Sequence, residues 1–436
     1  VMQRMGFNVQ GSDLSNSKNV ERCKKINIKV FSNHRKENLK DATIVVRSSA
    51  IKNNNPEIIS AKRRKIKIFK RAEMLGHVVS FKKNIIVTGS HGKTTTTSLI
   101  AKILSEAKLD PTIVNGGVVN SLGGNAKLGK GDWSVLEADE SDGSFLNLPI
   151  NYSVVTNIDK EHLDFYKSFK NLKNSFINFI NKTPAFGKSF LCSDNKELKS
   201  IVSKVNNKNF LTYGFNKNAN YRVLNAVYKK NYSIFDLVIS TNTSPKRIIR
   251  KIKLNLIGSY NILNSVAAIA LCSYIGVNLE IIKKSLKEFA GIQRRMTKVL
   301  QHKKNDFFDD YAHHPTEIRS VLQSLKKANP KREIISVFQP HRYSRLGFLK
   351  KEFSYSFKDS SKLLLCPVYS AGEKVNKKYD DEKFAKLIGK NSKVQVILIK
   401  DQVELNQFFK KNLVKDELIV GMGAGSITRW MREINL

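Results

Sequence analysis

Asn84-Ile85-Ile86-Val87-Thr88-Gly89-Ser90-His91-Gly92-Lys93-Thr94-Thr95 is the stretch on which the architecture of this chain turns. Residues 84–88 are an apolar run rich in β-branched side chains, which predicts a buried strand ending at Gly89. A helix is expected from Thr94 to about Ala107, because Leu99, Ile103 and Leu104 recur on one helical stripe. Strand, glycine turn and helix in that order make a phosphate loop. Glycines let backbone N–H groups turn toward an anion at a helix start, Lys93 offers a charge to the outer phosphates, and Thr94 offers a hydroxyl to Mg²⁺. The loop is shorter than G-x-x-x-x-G-K-[ST], with two residues instead of four between the first glycine and the Gly-Lys pair. The competing reading is a tight strand-to-helix turn with an incidental lysine.

Upstream, short apolar strands at 42–46 and 66–69 alternate with polar helices, as in a small α/β unit. Val1, Met2 and Met5 share one helical face before Gly6, and the chain opens without Met, so the reading expects residues missing from the natural N-terminus. Downstream, strands are expected at 133–137 and 152–157. Segments at 210–213, 221–228 and 232–239 read as antiparallel because polar residues alternate. Helices are expected from Ser259 and over 279–289. After Gly291 the alternation restarts with strands at 307–311, 334–338, 363–368, 394–399 and 417–420, which predicts a second parallel sheet. The expectation is an α/β protein of three domains, 1–80, 81–291 and 292–436, in keeping with a length of 436 residues.

Several polar clusters follow predicted strands. Glu137-Ala138-Asp139-Glu140-Ser141-Asp142 puts four carboxylates in six residues, a group that repels itself unless a cation or solvent intervenes. Mg²⁺ takes one or two carboxylates beside phosphates, so this is either a metal-binding edge or a solvated acidic loop. Asn157-Ile158-Asp159-Lys160-Glu161-His162 ends another strand, and His162 is either a ligand or base, or a surface histidine. Ligands of open α/β sheets bind at the carboxyl ends of the strands, which is where all three segments fall. The last domain adds Asp309-Asp310-Tyr311-Ala312-His313-His314 and His341-Arg342-Tyr343-Ser344-Arg345, where Arg342 and Arg345 suit a carboxylate or phosphate. Gln293-Arg294-Arg295 stands at the expected domain boundary.

Lys and Arg number 76 against 37 Asp and Glu, a formal charge of +39. The basic residues are spread along the chain without an aromatic-interleaved stripe, so the reading favours anionic small molecules and expects no nucleic-acid partner. The longest apolar stretch, 265–277, is too short for a membrane span, and neither a membrane partner nor secretion is expected. Cys23, Cys192, Cys272 and Cys366 form no CxxC pair, which suits reduced thiols in a cytoplasmic protein.

The segments GSHGKTTTT, EADESDGSFL, VTNIDKEHLDFY, GSYNILNSVAAIA, QRRM, DDYAHHPTEI, FQPHRYSRL, YSAGE and GMGAGSI, in this order, resemble the Mur ligases of peptidoglycan synthesis, with EADESD and HRYSR closest to the alanine-adding branch. The resemblance implies a partial Rossmann-like N-terminal domain holding a UDP-sugar, a central P-loop ATPase-like domain holding ATP, and a C-terminal Rossmann-like domain bringing the amino acid. It implies ATP-dependent amide formation between L-alanine and UDP-N-acetylmuramate through an acyl phosphate, with Mg²⁺. Carried over by position, Gly89, Ser90, His91, Gly92, Lys93, Thr94, Thr95, Asn261, Asn264, Arg295 and Asp310 take ATP. Thr94, Glu137 and His162 take metal. Tyr311, His313, Arg342 and Arg345 take the amino acid, and Ser12, Asp13, Ser48 and Ser49 face the UDP-sugar. Lys93, Arg295 and His313 are the expected catalytic groups. Ser90, Tyr260, Ala312 and Ser426 depart from the residues usual in the family, and none removes a group the chemistry needs. Other amide ligases of this superfamily, a nucleic-acid-dependent P-loop ATPase and an inactive binding module are the rival readings.

Overall fold

A computed structural model of the chain describes residues 1–15, 17–119, 124–241, 244–376, 379–414 and 416–436. Two compact units form, interleaved along the sequence: Val1–Lys93, Leu104–Gly116 and Asn125–Thr212 make one, and Thr94–Ile103, Gly117–Gly124 and Tyr213–Leu436 the other.

The first unit opens with two small parallel pairs. A 3₁₀ turn at Met2–Met5 stops at Gly6, in keeping with the sequence. Strand β1 (Gln10–Ser12), helix α1 (Lys18–Lys25) and β2 (Lys29–Phe31) form one pair; β3 (Ile44–Arg47), α2 (Pro56–Arg63) and β4 (Lys67–Lys70) form the next, and α3 (Arg71–Val78) follows. Then come β5 (Lys83–Thr88), α4 (Lys93–Glu106), β6 (Thr112–Val119), β7 (Gly124–Lys127), β8 (Trp133–Glu137) and β9 (Tyr152–Val155). They are followed by α5 (Leu163–Tyr166), α6 (Phe169–Asn181), β10 (Lys188–Cys192) and α7 (Lys196–Val202). Five strands of the sheet of this unit, in the order β10-β9-β5-β8-β6, are parallel, and β7 follows β6. Its central strand β5 is buried from Asn84 to Thr88, as a parallel strand covered on both faces must be. The order places β5 between β8 and β9, so the phosphate loop, the acidic segment and the His162 segment leave one edge of the sheet side by side.

The longest segment of the second unit begins within β11 (Phe210–Gly214) and continues through β12 (Tyr221–Tyr228), β13 (Ser233–Thr241) and β14 (Ser244–Leu254). The strands β12 and β13 are antiparallel as expected, and β14, for which the sequence reading held no expectation, is antiparallel to β13. The segment 210–213 is not: Tyr213 and Gly214 pair parallel with Tyr221 and Arg222. Alternating polarity reports one exposed face, which either pairing direction can produce. Helices α8 (Ser259–Tyr274) and α9 (Leu279–Lys287) follow. The rest is β15 (Thr297–His302), β16 (Asn305–Asp310), α10 (Pro315–Ala328), β17 (Ile334–Phe338), α11 (Tyr343–Ser354), β18 (Lys362–Leu365), α12 (Asp381–Ser392), β19 (Gln395–Leu398), α13 (Gln402–Asn412), β20 (Leu418–Met422) and α14 (Ile427–Arg432).

The sheet order is β15-β16-β20-β17-β18-β19. Five of its strands are the parallel set expected from the sequence, and β15 adds an antiparallel edge that the sequence reading missed. Alternate residues of β17 enter opposite cores: Ile334 and Phe338 pack with Leu363, Val420 and Met422, while Ile335 and Val337 pack with Phe307, Leu364 and Ile419. Cys192, Cys272 and Cys366 are buried free thiols. No helix among the described residues is long and apolar enough to cross a membrane.

Candidate active site

The phosphate loop is built on strain that only glycine tolerates. Gly89 has φ +129°, and a Cβ there would lie 2.2 Å from Thr156 Oγ1 and 2.9 Å from the Asn157 carbonyl. The loop is tied to the end of β9. The Ser90 N–H donates to the Asn157 carbonyl at 3.1 Å and the His91 N–H to Asn157 Oδ1 at 2.8 Å. In return Thr156 and Asn157 donate to the His91 carbonyl, and the Asp159 N–H donates to Ser90 Oγ at 2.8 Å. His91 Nε2 lies 3.2 Å from Asp159 Oδ2. The Ser90 and His91 N–H groups are thus committed within the protein.

Lys93 opens that turn. Its ammonium donates to the Gly89 carbonyl at 2.7 Å, the Ser90 carbonyl at 3.3 Å and Glu140 Oε2 at 2.8 Å. The Glu140 side chain is fully buried and that of Lys93 is 14% exposed. Burial alone would pull the ammonium down, but Glu140, Asp139 and Glu137 outweigh it and hold Lys93 above its ordinary range. Burial pushes the Glu140 carboxyl up, and Lys93 offsets part of that.

The second oxygen of Glu140 is buried without a hydrogen-bond partner. His162, in the left-handed region at φ +56°, brings Nε2 to 3.7 Å from it. Asp139, Glu140 and His162 offer three ligand atoms within 4.8 Å of one another. An orphaned carboxylate oxygen beside an imidazole and a second carboxylate fits a divalent cation. Glu137 turns its carboxylate to the Gly116 N–H at 2.6 Å, and a Cβ on Gly116 would lie 2.8 Å from it. The ligand set implied by the family resemblance holds Glu137 and His162 but not Glu140, which the sequence offered only as one of four carboxylates in the acidic run.

In the small N-terminal sheets, Ser12 ends β1 and donates to Glu57 Oε2 at 2.7 Å, while Asp13 accepts from Ser15. Ser48 and Ser49 follow β3, half-buried and exposed respectively.

In the second unit, Thr94 and Thr95 are buried, and a Cβ on Gly117 would come 2.8 Å from the Thr94 methyl. Asn261 and Asn264 sit in the first turns of α8, both buried. Asn261 donates to the Ile257 carbonyl at 2.8 Å, and Asn264 accepts from Thr96 Oγ1 at 3.3 Å. Asp310, at the end of β16, is buried and accepts from the Met296 N–H at 2.7 Å and the Ala312 N–H at 2.8 Å. Desolvation pushes its carboxyl up to about 6 even though Arg295 pulls the other way. The Arg294 and Arg295 guanidiniums lie 4.5 and 5.3 Å from the centre of the Tyr311 ring.

His313 meets Tyr311 edge-on and lies 5.8 Å from the His341 ring, which stacks on Tyr369 at 5.6 Å. Arg345 Nη1 is 3.2 Å from His341 Nδ1; guanidinium only donates, so that nitrogen is the acceptor. Burial, then Arg345 and Arg342, lower His341 to about 4. The Arg342 N–H donates to the Tyr369 carbonyl at 2.9 Å. Tyr311, His313, His341, Arg342, Arg345 and Tyr369 all follow the carboxyl ends of β16, β17 and β18. His341 and Tyr369 were not singled out from the sequence, although each follows a predicted strand.

Sequence comparison matches residues 1–83 to the Mur ligase family catalytic domain, 87–272 to the Mur ligase middle domain and 294–425 to the Mur ligase glutamate ligase domain. The chain belongs to the Mur ligase family, an α/β family of three-domain ligases. It is 56% identical over 434 residues to the UDP-N-acetylmuramate–L-alanine ligase of Pelagibacter ubique, covering 100% of this chain and 94% of that one. It is 39% identical to the protein of the same description from Brucella anthropi, over 99% of this chain and 92% of that one. Among solved structures, the UDP-N-acetylmuramate-alanine ligase of Thermotoga maritima superposes with a TM-score of 0.81 at 25% identity, over 99% of this chain and 93% of that one. A murein peptide ligase of Psychrobacter arcticus shares the fold at a TM-score of 0.68 and 18% identity, over 100% of this chain and 95% of that one.

Proposed function

We infer that this chain is an ADP-forming ligase that uses ATP to join L-alanine to UDP-N-acetylmuramate, in the cytoplasmic part of peptidoglycan precursor synthesis. One observation carries the reading: a largely buried, acid-paired lysine in a two-residue-spaced phosphate loop, within a chain 56% identical along its whole length to a ligase of that description. Residues 1–80 are assigned to the UDP-sugar through Ser12, Asp13, Ser48 and Ser49, residues 81–291 to ATP, and residues 292–436 to the amino acid. The matched family segments end close to those borders, which supports the division.

A carboxylate is a poor acyl donor, being anionic and without a good leaving group. In the proposed first step a lactyl carboxylate oxygen attacks the γ-phosphorus of ATP and ADP departs, leaving an acyl phosphate. The alanine nitrogen then forms a bond to the acyl carbon, the carbon–oxygen bond to the phosphoryl group breaks, and inorganic phosphate leaves with its electron pair. The first step brings two anions together, which costs about 4 kcal/mol at 4 Å and an effective dielectric near 20. Lys93 is assigned to the outer phosphates, with Gly89, Ser90, His91, Gly92, Thr94 and Thr95 shaping their cradle. Arg295 is assigned to the charge developing on the transferred group, and Asn261, Asn264 and Asp310 to the nucleoside. Thr94, Glu137 and His162 are the assigned Mg²⁺ ligands, with the Asp139 and Glu140 carboxylates beside them; the bound cation supplies charge neutralisation at the phosphates. Arg342 and Arg345 suit the alanine carboxylate, Tyr311 lines its place, and His313 accepts a proton from the alanine ammonium.

Phosphate release with ATP, Mg²⁺, UDP-N-acetylmuramate and L-alanine, omitting each in turn, tests this. Full release requires all four. Release that ignores alanine, or that responds equally to L-glutamate, contradicts the reading.

A further inference from the structure

Glu317 lies in the first turn of α10, and each of its carboxylate oxygens faces a group assigned above to the chemistry. Oε1 lies 3.5 Å from Arg295 Nη1. Oε2 lies 3.3 Å from His313 Nδ1 and accepts the His313 backbone N–H at 3.1 Å. The carboxylate side chain is 10% exposed, so these interactions are poorly screened. His313 Nδ1 also lies 2.9 Å from the Tyr311 carbonyl oxygen. A carbonyl and a carboxylate can only accept, so in the neutral ring Nδ1 carries the proton and Nε2 keeps the lone pair.

We propose that Glu317 is a positioning residue that clamps Arg295 and His313 with one carboxylate, fixing the phosphate-facing guanidinium and the Nδ1–H tautomer of the proton-accepting imidazole together. The proposal rests on the ligase reading above, since that reading gives Arg295 and His313 their roles. It extends it by a residue to which that reading assigns no substrate contact. The simpler alternative is that Glu317 only caps α10, because a Glu at the third helical position commonly reaches back to the N–H groups preceding the helix. A glutamine caps almost as well but carries no charge, and that difference separates the two.

The test uses the full chain with Glu317→Gln and Glu317→Asp. The clamp predicts that Glu317→Gln melts within about 2 °C of the parent yet loses at least about tenfold in kcat, with KM for UDP-N-acetylmuramate within about twofold. Glu317→Asp, shorter by a methylene, keeps the charge and recovers part of kcat only where the helix start shifts toward it. Glutamine at parental kcat overturns the proposal in favour of simple capping. Nitrogen spectra of histidine-labelled protein, with the His313 signal assigned through His313→Gln, provide a readout that needs no substrate. The parent shows His313 as the Nδ1–H tautomer, held by Glu317 and the Tyr311 carbonyl together, and Glu317→Ala, which leaves only the carbonyl, lowers the share of that tautomer. A parent His313 in the Nε2–H form overturns the clamp whatever the activity. A parent that releases no phosphate but shows the Nδ1–H form refutes the ligase reading and leaves the geometry of the clamp supported.

Discussion

Replacing Glu140 by glutamine keeps its shape and removes its charge, leaving the Lys93 ammonium buried without a counter-ion. At the observed 2.8 Å the attraction is about 6 kcal/mol at an effective dielectric of 20, before desolvation is subtracted. Breaking such a buried pair from one side typically costs about 3–5 kcal/mol. Lys93 has one escape, which is to lose its proton. From an unfolded pKa near 10.4, that costs about 1.36 kcal/mol for each pH unit below it, or about 3 kcal/mol at pH 8 and about 5 at pH 7. The penalty therefore has a ceiling that depends on pH. A native state holding neutral Lys93 binds fewer protons than the unfolded chain, so the stability of the variant rises with pH, by up to about 1.4 kcal/mol per unit. Urea unfolding of the parent and of Glu140→Gln at pH 7, 8 and 9 measures both the gap and its slope. The double variant Lys93→Met with Glu140→Leu should recover most of the stability while abolishing turnover, because an apolar pair has no charge to desolvate. A gap below about 1 kcal/mol that does not change with pH would refute the claim that this pair is buried and charged.

Lys93→Ala should lower turnover at least about a hundredfold while the fold persists, since losing one such contact to a developing charge costs about 2.7–4 kcal/mol of barrier; single-turnover rates near the parent would contradict it. Gly89→Ala should lower the melting temperature and remove binding of a non-hydrolysable ATP analogue, because the added carbon meets Thr156 and the Asn157 backbone at a φ of +129°; calorimetry showing parental affinity would count against the loop geometry. His341 has a folded pKa of about 4 against an ordinary value of 6.5, so the unfolded chain takes up the proton first and the parent loses stability as pH falls from 6.5 through 4. His341→Gln, whose amide oxygen can still accept from Arg345, should flatten that part of the curve; parallel melts between pH 7 and pH 4 that stay parallel would show that His341 is not held neutral.

Much of the site was legible because strand ends are legible. Apolar runs at 84–88, 133–137 and 334–338 announced buried strands, and the polar residues immediately after them stand at the sheet edge. The Glu140 role was not legible. Four carboxylates in one loop look alike in sequence, and only packing shows that Glu140 is the one turned inward onto Lys93 while Glu137 turns to the Gly116 backbone. The parallel pairing of Tyr213 with Tyr221 and the antiparallel edge strand Thr297–His302 were hidden for a related reason: alternation records which face is wet and not which neighbour a strand finds.

The amino-acid sequence alone determined the class of protein, the phosphate loop and its lysine, and the order of the strand-ending motifs, because periodicity, glycine placement and local motif spacing are properties of neighbouring residues. Tertiary structure decided which partners those motifs acquired: Glu140 for Lys93, Glu317 for both Arg295 and His313, and Arg345 and Tyr369 for His341. These pairings depend on distances of a few ångströms, on burial and on lone-pair direction, and they are fixed only when separated segments pack together.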